Sequence, residues 1–92
     1  MVKIGITQDG AKYCVTVVGH ANDEKVCAGI SALYVALVET ADRLNVLESH
    51  TNGADAKRAY IWRAKNIKPQ IDMFRNGVRA IIREYPEQAA VL

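Results

Sequence analysis

The feature that most constrains this chain is a change of hydrophobic period. Val2, Ile4 and Ile6 alternate with Lys3, Gly5 and Thr7, the period of two that marks a half-buried strand. Asp9-Gly10 follows, and both residue types tolerate the positive φ of a tight hairpin turn. Tyr13 to Val18 is a β-branched and aromatic run, with Val15 and Val17 on one face and Cys14, Thr16 and Val18 on the other. The pattern breaks at Gly19-His20-Ala21-Asn22-Asp23, and a different one begins. Val26, Ile30, Leu33, Tyr34, Leu37, Val38, Ala41 and Leu44 recur at steps of three and four, which predicts a helix over residues 24–44. Asn22 or Asp23 caps its start by accepting orphan backbone N–H bonds, and Glu24 adds negative charge to its first turn.

The rest of the chain repeats this scheme with weaker signals. Asn45 to Ser49 reads as a short strand, Asn52-Gly53 as a turn, and Lys57 to Arg63, which holds Tyr60, Ile61 and Trp62, as a returning strand. Pro69 suits the first turn of a second helix, whose apolar stripe is Ile71, Phe74, Val78, Ile81 and Tyr85. Pro86 ends it, because the residue before a proline is pushed out of the α region. The expected order is ββαββα. Two helices bury little unless they lie on a sheet, so the expected fold class is α+β, a small two-layer sandwich of a mostly antiparallel sheet and two helices. No repeat, low-complexity tract or linker interrupts the chain, and residues 1–92 read as a single domain.

Composition narrows the function classes. Half of the chain is apolar and 24% is charged, which excludes a disordered tail, a collagen-like repeat and a disulfide-rich scaffold. A chain of 92 residues buries roughly 60–65% of its unfolded surface, enough for one thin core. The longest uncharged apolar-rich run is Val26 to Val38, 13 residues, against the roughly 20 that a spanning helix needs. The first nine residues lack a long apolar stretch followed by a small-residue cleavage site, so no membrane partner and a cytoplasmic location are expected, with Cys14 and Cys27 as thiols. Charge is uneven: residues 1–56 hold four basic and seven acidic side chains, residues 57–92 eight and three.

The segment that can carry chemistry is His20 to Cys27. His20 ends a strand, Cys27 lies near a helix start, and the six residues between them suffice for the two side chains to meet. The thiolate rather than the thiol is the nucleophile, and a helix N-terminus or an imidazolium favours it. Backbone N–H groups near Cys27 and Ala28 are candidates to hold an oxyanion. The plainer reading makes Cys27 a small core residue one turn before Ile30 and His20 a strand end. Cys14, His20, Cys27 and His50 include four metal-ligand types but show no C-x₂₋₄-C or H-x₃₋₅-H pairing, so no metal is expected. Lys68, Arg75, Arg79 and Arg83 flank the apolar stripe of the second helix, with Asp72 among them. They leave a second function class open, a non-catalytic ribosome- or RNA-associated binding module using that basic helix. Tyr60 and Trp62 would stack bases if they faced solvent, but a core position is the favoured expectation, and nucleic acid is not an expected partner.

Gly19-His20-Ala21 followed by Val26-Cys27-Ala28-Gly29-Ile30-Ser31-Ala32-Leu33 resembles the signature of the ribosomal-processing cysteine protease family, Prp. Glu84-Tyr85-Pro86-Glu87 is similar to that family's C-terminal helix end. The resemblance implies a cysteine endopeptidase without a cofactor, working through a Cys–His dyad. Its substrate would be the N-terminal extension of a large-subunit ribosomal protein, or a phage capsid or scaffold protein. It also implies a homodimer. The family's nucleophile falls on Cys27 and its base on His20; its acidic residue falls on Glu24, with Asp23 a close substitute, its serine on Ser31 and its small residue before the histidine on Gly19. Either acidic residue would orient His20, and capping is the favoured role for Asp23. The loop between His20 and Cys27 is shorter than the family's and has no glycine after Gly19, a departure that bears on gating and substrate preference.

Overall fold

The two alternating runs pair as a hairpin. In the computed structural model, which describes residues 1–62 and 64–92, β1 (Val2–Asp9) and β2 (Lys12–Val18) are antiparallel, with Ile4 opposite Val17 and Ile6 opposite Val15. Gly10 takes φ +59 at the turn. The helical stripe forms α1 (Glu24–Arg43), with Val26, Ile30, Tyr34, Leu37, Val38 and Ala41 buried. A second hairpin, β3 (Leu47–Asn52) and β4 (Ala56–Ile61), is antiparallel and joins the sheet through β4 on β2. The helix α2 (Ala64–Glu84) follows, and a last strand, β5 (Ala89–Val91), runs parallel to β1. The sheet order is β3-β4-β2-β1-β5, and the chain order is ββαββαβ. The expected α+β class holds, with one strand more than expected.

The core is a single buried cluster between the sheet and the two helices. Tyr13, Val15 and Val17 of β2, Ala59 and Ile61 of β4, and Val2 and Ile4 of β1 meet the α1 residues above and Ile67, Ile71, Phe74 and Val78 of α2. Ile61, Ile67 and Ile71 are fully enclosed, each stabilising the fold by about 2–3 kcal/mol through burial.

Several boundaries differ from the expectations for local reasons. Leu44 is exposed rather than part of the stripe, because α1 ends in a Schellman turn at this point. Asn45 adopts φ +58, its N–H donates to the Asp42 carbonyl, and the Val46 N–H donates to the Ala41 carbonyl at 2.9 Å. Asn45 therefore closes a helix instead of opening a strand, and β3 starts at Leu47. Pro69 lies inside α2, in its second turn, since the helix already begins at Ala64. The strand expected to reach Arg63 is described to Ile61, and Arg63 lies outside the described residues. The core position expected for Tyr60 and Trp62 is overturned: Ala59 and Ile61 face the helices, and Trp62 is 44% exposed. The Lys12 ammonium lies 4.1 Å from the centre of the Trp62 ring and 2.9 Å from Glu48 Oε2, so Trp62 belongs to a charged surface cluster.

Candidate active site

The turn after β2 is built around a glycine. Gly19 has φ +92, and a Cβ there would stand 2.5 Å from the Met1 carbonyl oxygen, so any larger residue would push the turn away from β1. The Gly19 N–H donates to the Asp55 carbonyl at 2.9 Å, which ties the turn to the tip of the β3–β4 hairpin. His20 follows, with its side chain 59% exposed and its Nε2 hydrogen-bonded to Asp55 Oδ1. The next residue turns back toward the helix: the Ala21 N–H donates to Cys27 Sγ at 3.3 Å, and Sγ lies 3.8 Å from the Ala21 carbonyl oxygen. The half-buried thiol is thus held by the residue next to His20.

Asp23 accounts for the start of α1. Its Oδ1 accepts from the Lys25 N–H at 2.9 Å, and its carbonyl accepts from the Val26 N–H at 3.1 Å, the capping arrangement expected of it. Its own N–H donates to Gln88 Oε1 at 2.6 Å. Gln88 immediately precedes β5, and its carbonyl accepts from the Val2 N–H at 2.9 Å. Gln88 therefore joins the helix start, through its side chain, to β1, through its carbonyl.

A small open pocket of about 140 Å³ lies where these parts meet. His20, Cys27 and Ser31 line it together, with Val2, Val17 and Ile30 as its apolar walls and Lys57 at its rim. The structure thus brings His20, Cys27, Ser31 and Gly19 to one place. Ala28 is exposed beside them. With the helix starting at Glu24, the N–H groups of Cys27 and Ala28 enter the helical ladder toward the Asp23 and Glu24 carbonyls. They are not spare donors for an oxyanion; the Ala21 N–H is the one that points at Sγ. Glu24 and Asp23 sit at the helix start, and the carboxylate that meets His20 is that of Asp55.

Asp55 had no signal in the sequence. It lies 35 residues from His20, and the Asn52-Gly53 turn announces a hairpin without saying what its tip touches. Cys14 lies half-buried within β2 and His50 is exposed on β3. Among the described residues no group of three His, Cys, Asp or Glu side chains is placed to hold a metal. No helix among them is long and apolar enough to cross a membrane.

Fold and pocket together define a small α+β protein that presents a histidine and a cysteine between a strand end and a helix start. Two solved structures share this architecture over the whole chain. Both are of an essential ribosomal processing protease, Prp, from S. aureus. One, in complex with a covalently linked product peptide, is 22% identical, with a TM-score of 0.78 over 99% of this chain and 97% of that one. The other, in complex with a substrate peptide, is 19% identical, with a TM-score of 0.81 over 100% and 98%. The fold of this chain is the Prp fold. No protein-family model matches the chain, and no curated protein matches its sequence.

Proposed function

We propose that this chain is a cysteine endopeptidase in which Cys27 is the nucleophile and His20 the base. The proposed substrate is the N-terminal extension of a large-subunit ribosomal protein. The observation that carries this reading is the shared pocket, where both side chains line one open cavity and the Ala21 backbone orients the thiol. The S. aureus neighbours support it, being a ribosomal processing protease with a substrate peptide in one structure and a covalently linked product peptide in the other.

In the proposed reaction the His20 imidazole takes the Sγ proton, and the sulfur forms a bond to the scissile carbonyl carbon. The Ala21 N–H, which donates to Sγ in the resting site, would then donate to the oxygen as charge develops on it. The C–N bond then breaks and the amine leaves with the proton from His20. A water molecule gives its proton to His20 as its oxygen bonds to the thioester carbon; the C–S bond then breaks, the acid leaves, and the sulfur takes the proton back from His20. Ser31, one turn after Cys27, lines the cavity in which the acyl chain would sit.

The test is cleavage of a peptide carrying such an extension, read by mass spectrometry. A single cut is expected, and Cys27→Ser and His20→Ala should each lower its rate by about 10³-fold or more. Cutting by Cys27→Ser at the parent rate would overturn the assignment. A capsid-derived peptide cut in preference would move the substrate to the phage class. Unchanged turnover and stability in Ser31→Ala would remove that residue from the site. The reading also carries a homodimer; sedimentation should give twice the chain mass of 10.1 kDa, and a monomer at working concentration would remove this part.

A further inference from the structure

We infer that Asp55 is the positioning residue for His20: it holds the imidazole in the tautomer that leaves Nδ1 free to take the Cys27 proton. This rests on the dyad reading above. A carboxylate only accepts hydrogen bonds, so its contact with Nε2 requires the proton to be on Nε2. The lone pair of the neutral ring is then on Nδ1, the other nitrogen of a ring that borders the Cys27 pocket. When the S–H bond breaks, its electron pair stays on sulfur and the proton forms the new N–H bond at Nδ1. The resulting imidazolium donates from Nε2 to the Asp55 carboxylate.

A second contact makes the placement specific. The Asp55 carbonyl accepts from the Gly19 N–H at 2.9 Å while its side chain meets His20, so one hairpin residue grips two consecutive residues of the turn. The hairpin tip is itself braced, with the Gly53 N–H on the Ala56 carbonyl at 3.1 Å and Lys57 Nζ on the Gly53 carbonyl at 2.9 Å. The Asp55 side chain is 85% exposed and buries nothing, so Asp55→Ala keeps the backbone bond and removes only the carboxylate.

The experiment has two readouts on the full chain. The first is the ring ¹⁵N spectrum of His20 at a pH where the imidazole is neutral. The parent should show the proton on Nε2, and Asp55→Ala should show the two tautomers mixing. An unchanged spectrum would overturn the inference, whatever the protein cleaves. The second is the rate of Cys27 alkylation by iodoacetamide in the parent, His20→Ala, Asp55→Ala and the double variant. Asp55→Ala should slow alkylation by about two- to fivefold, with no further slowing when His20 is already alanine. Equal slowing in both backgrounds would show that Asp55 acts without His20 and would overturn the inference. Insensitivity of Cys27 to His20→Ala would instead defeat the dyad reading, and the ring spectrum would still judge the tautomer.

Discussion

Tyr34 shows how a single side chain ties the core to solution pH. Its ring is buried and its hydroxyl donates to the Thr51 carbonyl at 2.7 Å. Burial raises its pKa above the ordinary value of 10.0, and the backbone bonds of Thr51 and Arg58 oppose this more weakly. The folded protein therefore holds the phenol proton more tightly than the unfolded chain does. The stabilisation is whole below pH 10 and is lost as pH rises toward the raised value. Tyr34→Phe should cost about 1 kcal/mol at pH 8, and the gap to the parent should close above pH 10; urea unfolding at both pH values checks this. At this scale the sequence was partly legible. His20 and Cys27 stood out because few side chains offer a base and a thiol, and Asp23 because capping is local. Asp55 was hidden because its role is a contact across 35 residues, which no spacing encodes.

Elements were legible where one hydrophobic period ran long enough to dominate. The β1–β2 hairpin and α1 emerge from Val2, Ile4 and Ile6 and from the stripe beginning at Val26. Three places failed because another effect took over. The neighbours of Asn45 suggest a strand, but its tolerance of positive φ makes it a helix terminator. Pro69 suits a first turn, yet the helix begins at Ala64 and Ile67 is buried ahead of the proline. Ala89-Ala90-Val91 is too short to show alternation, and it becomes a strand only because β1 offers it an edge. The same stretch sets a prediction for α1. Gln88→Ala removes the acceptor of the Asp23 N–H at the helix start. It should lower stability by about 1 kcal/mol in thermal unfolding. Cys27 alkylation should also change, because the turn facing that helix loses an anchor; an unaltered rate would confine Gln88 to a structural role.

The whole molecule depends on one thin layer of contacts. Among the described residues the helices cover one face of the sheet, and the cluster that fills the gap includes every fully enclosed large side chain. Ile61→Ala opens a cavity at its centre and should cost about 2–5 kcal/mol, a large share of the 5–15 kcal/mol that holds a typical domain together. A lower urea midpoint with an unchanged slope would confirm loss of stability without loss of the fold. The sheet also sets an order in time. β5 pairs with β1, and Gln88 reaches back to Val2 and Asp23, so the latest-made of these residues complete a frame begun by the earliest. During synthesis His20 and Cys27 are joined to the chain long before Gln88 exists. Until then β1 has a bare edge and the start of α1 lacks its outside partner. The pocket reaches its finished form after translation has passed residue 91, and a nascent chain halted before that point carries His20 and Cys27 without their frame.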